Sequence, residues 1–357
     1  MNIESHKSTT VEKKLLYEVS LIRPFVIFLL VVMHSFTKIA EGGYRSTTYQ
    51  LPEIYQWLCH LISGFRIETI ALVAGYVFAY QSIDLHRKYA LKPFIVKKFK
   101  RLILPMLFFG IFYYAMFLYI PETFTVSGFF LKWLSGCGHL WFLPMLFWCF
   151  MAIWLIDHFN LSSWKTLAML AIIAVLPLPL YKLPLGFSRL PHFLFFVYGG
   201  YFLYEHRHAI INHWISIKTV LSLWIIYVFW VIVRQTISEQ SPNLSFDMGQ
   251  IMWKGIQNSV NLLISCIGIL ALYTTISLKT ICSSFIPPLW VIRSSDYCYG
   301  VYVFHQFLLV YFYQYTPVVS QVNPYIVPWL GLALALFASW LLTSLFLRTR
   351  FGRYLIG

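Results

Sequence analysis

The largely apolar stretch LIRPFVIFLLVVMHSFTKI at residues 21–39 carries Arg23 near one end and His34 near the other. An ionisable group facing hydrocarbon is costly, so such residues turn toward a bundle interior or a watery cavity. They lie eleven residues apart, which at about 100° per residue returns both to within about 20° of one helix face. Along the axis they are separated by roughly 16 Å, about half the hydrocarbon thickness. One stripe of this helix therefore points a guanidinium toward one side of the bilayer and an imidazole toward the other half. The plainer alternative is an arginine snorkelling from the helix end and a hydrogen-bonded packing histidine.

Four further places carry residues of this kind. GFRIETIALVAGY, in the second apolar run, sets Arg66 and Glu68 in or at the membrane. Two apart on a helix, they do not face each other, and each needs its own partner. KPFIVKKFKRLILP carries Lys97, Lys98, Lys100 and Arg101 ahead of Pro105. It reads either as a positive-inside signal or as a patch for a phosphate-bearing ligand, since lysine and arginine are the usual phosphate donors. GCGHLWFLPMLF places His139 after two backbone-loosening glycines and beside Trp141, an interfacial type of residue. SSDYCYGVYVFHQFLL puts His305 near mid-membrane, where it needs a polar partner or a cavity. A structural histidine is the alternative at both places. His206, His208 and His213, beside Arg207, have no metal-site spacing and read as solvated loop residues.

Imidazoles and arginines inside one bundle make a constellation with chemical uses. Histidine is the side chain best suited to take a proton from an alcohol near neutral pH. Arginine suits an anionic ligand or the developing oxyanion of acyl transfer. There is no glycine-rich phosphate cradle, nucleophile elbow or HExxH, so covalent serine chemistry and zinc hydrolysis are unsupported, and no metal is expected. The six cysteines are scattered and read as free thiols, Cys137 and Cys149 included.

The elements that must position these groups are helices in a membrane. The chain has 357 residues, 59% hydrophobic and 11% charged, with a mean hydropathy of +0.69. A soluble domain carries about 25% charged residues; this composition specifies an all-α, multi-pass integral membrane protein. Spanning-length apolar runs fall at ten places: 20–39, 59–81, 102–120, 139–156, 166–180, 189–204, 219–236, 255–276, 297–315 and 325–347. Pro177 and Pro179 fall at the end of the fifth run and Pro184 between it and the sixth, so both are expected to be short or broken there. Residues 1–19 read as a polar tail or interfacial helix rather than a cleavable signal, 20–347 as the bundle, and 348–357 as a basic tail.

Charge placement sets the expected orientation. The segment 82–101 holds Arg87, Lys88, Lys92, Lys97, Lys98, Lys100 and Arg101, and the tails add Lys7, Lys13, Lys14, Arg348, Arg350 and Arg353. The alternate loops carry little more than Arg45 and Lys132. With ten runs, all basic loops fall on one side and both termini are cytoplasmic. The basic residues sit between apolar spans, so the net charge of +14 does not point to nucleic acid. Chemistry is left to the bundle and its short loops.

These motifs together resemble the membrane acyltransferase-3 family, bacterial multi-pass enzymes that O-acylate sugars of surface glycans. Arg23 and His34 resemble its first-helix arginine–histidine pair, and GFRIETIALVAGY is similar to its second-span pattern. KFKRLILP resembles its basic RLxxP segment; HLWFLPMLF and YGVYVFH resemble its fourth-span and late-helix motifs. ETIALVAGY departs from the phenylalanines and Ser-Gly-Tyr usual there, and no added esterase-like domain of the kind some relatives carry is expected. The resemblance implies an inner-membrane enzyme using acyl-CoA, most simply acetyl-CoA, as co-substrate, with no bound cofactor. It implies donor phosphates near Arg101, Lys98 and Lys97, and Arg23 holding the pantetheine arm or thioester end. His34 would act as general base or acyl relay. Arg66, with His139, His305 and Glu68, would orient a glycan or lipid-linked sugar or stabilise the oxyanion. Competing expectations are a glycan or lipid-linked-precursor transporter, for which repeat symmetry would speak and none is visible, and a non-enzymatic part of a polysaccharide export machine.

Overall fold

The computed structural model describes residues 3–37, 52–87, 89–178, 183–209, 215–239, 248–282 and 285–357. Arg45, Lys88 and His213 lie outside them, as do the side chains of Lys7, Lys13 and Lys14. The described residues are helical and contain no strand. In chain order the helices are α1 (Ile3–Thr37), α2 (Glu53–Ser63), α3 (Arg66–Ile83), α4 (Leu91–Lys98), α5 (Leu104–Tyr113) and α6 (Val126–Leu134). There follow α7 (Phe142–His158), α8 (Trp164–Val175), α9 (Leu190–Glu205), α10 (Ile217–Glu239) and α11 (Met248–Ser277). The last are α12 (Leu289–Tyr315) and, after a single helical turn at Val318–Gln321, α13 (Val327–Arg348) and α14 (Arg350–Ile356). In hydrocarbon a backbone must satisfy its own polar groups, which a helix does within each segment.

Seven segments are long and apolar enough to cross a membrane: Tyr17–Phe36, Glu53–Ile83, Leu91–Leu118, Gly138–His158, Ile217–Ser238, Gly249–Thr280 and Val327–Arg348. The other three expected runs also form helices but fall outside this set. Two, α8 and α9, are short, with 12 and 16 residues, and flank the proline-rich stretch. The third, α12, has 27 residues, but Arg293, Ser294, Ser295, Asp296, His305 and Gln306 lower its hydropathy. Among the described residues the structure thus supports seven spans by length and composition, against the ten expected.

At the centre lies α1, packed against α2, α3, α11, α12 and α13. Its Val26, Val31 and Phe36 are almost completely buried, whereas Phe25 and Phe28 of the same helix are exposed. That division separates a bundle-facing stripe from a lipid-facing one. His206 and His208 are exposed as expected, but Arg207 between them is buried and bound to Asp84 at 2.9 Å. Burying a guanidinium requires such a partner, and the pair ties the ends of α3 and α9 together.

Membrane helices associate by close backbone approach at small residues, and α3 and α9 do so at Gly75 and Gly200. A Cβ on Gly75 would stand 1.7 Å from the Val197 carbonyl oxygen, and one on Gly200 1.9 Å from that of Leu72. Both obstacles are backbone, so neither helix can yield locally. Gly75→Ala should therefore destabilise the protein by about 1–3 kcal/mol, the usual range for overpacking. Thermal unfolding in detergent checks this; an unchanged midpoint would refute so close a crossing.

Candidate active site

The second span is broken between α2 and α3, at Gly64 and Phe65, and the break places Arg66 in the first turn of α3. Broken helices persist in membranes only where neighbours re-satisfy the freed backbone groups. Here Tyr227 donates to the Leu61 carbonyl, Ser265 Oγ to that of Gly64 at 2.6 Å, and Arg234 to that of His60 at 2.8 Å. Thr69 caps the Phe65 carbonyl with both backbone N–H and hydroxyl. Side chains from α10 and α11 thus hold the bend that turns Arg66 inward, where it is 8% exposed.

Three imidazoles from three segments meet beside it. The His34 ring centroid lies 5.3 Å from that of His305, and the His305 centroid lies 5.0 Å from that of His139. His139 and His305 are buried, while His34 is partly exposed. Arg66 is within electrostatic range of His34. One ring nitrogen of each buried histidine meets a backbone carbonyl: His139 Nε2 that of Val303 and His305 Nδ1 that of Val301, both at 3.0 Å. A carbonyl only accepts, so those nitrogens carry the protons. The remaining nitrogens, Nδ1 of His139 and Nε2 of His305, are buried without a hydrogen-bond partner. In the neutral rings each presents a lone pair. Tyr302 completes the group: its hydroxyl donates to the His139 carbonyl at 2.6 Å, and its ring lies 5.3 Å from that of His139.

Tyr302 also lines a cavity of about 600 Å³ that opens among α1, α3, α4, α7 and α12. Its α3 lining runs from Thr69 to Gln81, roughly 18 Å at 1.5 Å per residue. The end near Gln81 carries Lys97, Lys98 and Arg101, while Arg23 and Asp296 also line the cavity. Lys98 is partly buried with Nζ over the Phe150 ring at 3.1 Å, whereas Lys97 and Arg101 are exposed. The opposite end is walled by apolar residues, among them Ile27, Ile70, Phe142 and Leu143, and by Tyr302. A cavity with cations at one end and apolar walls at the other fits a long ligand that is anionic at its tail.

The expected residues therefore fall into two groups, with one apart. Arg23, Lys97, Lys98 and Arg101 share the cavity; His34, Arg66, His139 and His305 gather beyond it. Glu68 joins neither, because its Oε1 faces His192 of α9 at 3.4 Å. Tyr302 escaped the sequence reading, although it stands one turn before His305, as did Arg189, whose guanidinium lies 3.8 Å over the Trp141 ring. A lone tyrosine among 24 carries no signal in sequence. No group of residues with metal-holding geometry occurs among the described residues.

A family model described as an acyltransferase domain matches residues 16–348. No curated protein and no solved structure matches the chain.

The carbonyl contacts fix a spectroscopic outcome. In ¹⁵N-histidine-labelled protein near neutral pH, His305 should appear as the Nδ1–H tautomer and His139 as the Nε2–H tautomer, assigned by single substitutions. The reverse assignment would contradict the geometry.

Proposed function

We propose a reaction from one established premise: the chain belongs to the acyltransferase-3 family of membrane acyltransferases, matched over residues 16–348. The proposed reaction carries an acyl group, acetyl in the simplest case, from acyl-CoA to a hydroxyl of a surface polysaccharide or lipid-linked sugar. One observation supports it above the rest. A single cavity holds Lys97, Lys98, Arg101 and Arg23 and reaches Tyr302, whose ring also meets those of His139 and His305. Acyl-CoA has the matching shape, with phosphates at one end and a thioester at the other.

In this reading the basic end faces the cytoplasm of a bacterial inner membrane. Arg101, Lys98 and Lys97 take the donor phosphates, and Arg23, deeper along α1, holds the pantetheine arm. His34 is the general base. It accepts the hydroxyl proton as the sugar oxygen attacks the thioester carbonyl, the carbon–sulfur bond breaks, and the leaving thiolate takes that proton from the imidazolium. Atoms and charge balance, with an ester and CoA thiol as products. Arg66 stabilises the oxyanion that forms on the thioester oxygen, and His139 and His305 orient the acceptor through their bare nitrogens. Glu68 acts indirectly, by holding α9 through His192.

A positioned base contributes about 100- to 10,000-fold, so His34→Ala should lower acyl transfer in reconstituted membranes by that order with acyl-CoA binding retained. Normal glycan acylation by a folded, inserted His34→Ala or Arg23→Ala variant would end the proposal.

Neutralising Lys98 and Arg101 together should weaken donor binding and flatten its salt dependence, because screened phosphate contacts are lost. Acyl-CoA binding to the purified protein is the measurement; no binding by the unmodified protein would favour a glycan transporter.

A further inference from the structure

None of the three imidazoles lines the donor cavity, yet Tyr302 does. Its ring, 7% exposed, meets both: it lies 5.3 Å from the His139 ring and 6.2 Å from that of His305, and it forms part of the cavity lining. Phe142 flanks it at 6.0 Å and lines the same cavity. At this point one aromatic ring touches both the donor space and the histidine cluster to which His34 belongs through His305. It is fastened by the hydrogen bond from the Tyr302 hydroxyl to the His139 carbonyl at 2.6 Å, itself a member of the cluster it screens.

We propose that Tyr302 is a positioning residue that partitions the donor thioester from the imidazoles until an acceptor is present. The idea rests on the acyl-CoA reading above and deepens it. A thioester beside an unscreened imidazole is open to hydrolysis: water's oxygen attacks the carbonyl, the base takes the proton, the carbon–sulfur bond breaks, and the thiolate recovers the proton. The products are free acid and CoA thiol, with no transfer. Excluding water from a loaded site is what closed active sites accomplish elsewhere. Here a ring with a single hydrogen bond to the cluster's own backbone can turn aside as an acceptor settles against His139.

The test uses the purified full chain in nanodiscs with acetyl-CoA and no acceptor, and follows thiol release and acetyl-CoA binding in parallel. Tyr302→Ala should raise acceptor-independent hydrolysis by about tenfold or more, a modest part of what a positioned base supplies, without loss of donor binding. Tyr302→Phe keeps the ring but loses its fastening to the His139 carbonyl, and its hydrolysis should fall between that of the unmodified protein and that of Tyr302→Ala. Adding His34→Ala to Tyr302→Ala should remove the excess, because the base that activates water is gone. If the alanine variant fails to fold, Tyr302→Leu, which retains apolar volume but not the ring, is read by the same criterion. A folded variant that binds acetyl-CoA yet hydrolyses it no faster than the unmodified protein would overturn the partition and leave the acyltransferase reading standing. An unmodified protein that neither binds nor turns over acetyl-CoA would overturn both.

Discussion

Ionisable side chains in hydrocarbon are tolerated only when turned toward polar company or a cavity, and that constraint organises this bundle. Arg23 and His34 lie on one stripe of the central helix α1, and the helices around it bring what the stripe requires. From α4 and its continuation come cations around a cavity; from α3 comes Arg66, and from the 138–141 turn and α12 come two more imidazoles. The lipid-facing side of α1 carries Phe25 and Phe28 instead. Partition of one helix into two faces thus sets both the packing and the candidate site.

The same constraint explains the irregular backbone. Arg66 points inward because the second span breaks at Gly64–Phe65, and the break is held by Tyr227, Arg234 and Ser265 from two other helices. A regular helix through this region would set Arg66 at a different angle to the bundle. Holding a kink by hydrogen bonds from rigid neighbours is a common membrane solution, and in this chain it coincides with the candidate chemistry.

Much of this was legible in the residues. The spacing of Arg23 and His34 gave one face, and both ended on the interior. Every one of the ten apolar runs became helical, though α8, α9 and α12 are too short or too polar to count as spans on composition. Side-chain meetings across distant segments were not legible. Glu68 finds His192, 124 residues away, and Tyr302 finds the His139 carbonyl 163 residues away. Neither partner has a periodicity that announces it. Arg207, read with its exposed histidine neighbours, is instead buried against Asp84, because the end of α9 folds back on the end of α3.

The central proposal is that an acyl donor in the cavity meets the histidine cluster at Tyr302, which touches both. Its most direct test is a structure determined with a non-hydrolysable acyl-CoA thioether. The account predicts phosphates against Lys97, Lys98 and Arg101, with the acyl end stopped at Tyr302. Density for the ligand on another face of the protein, or no ligand bound at saturating concentration, would contradict it.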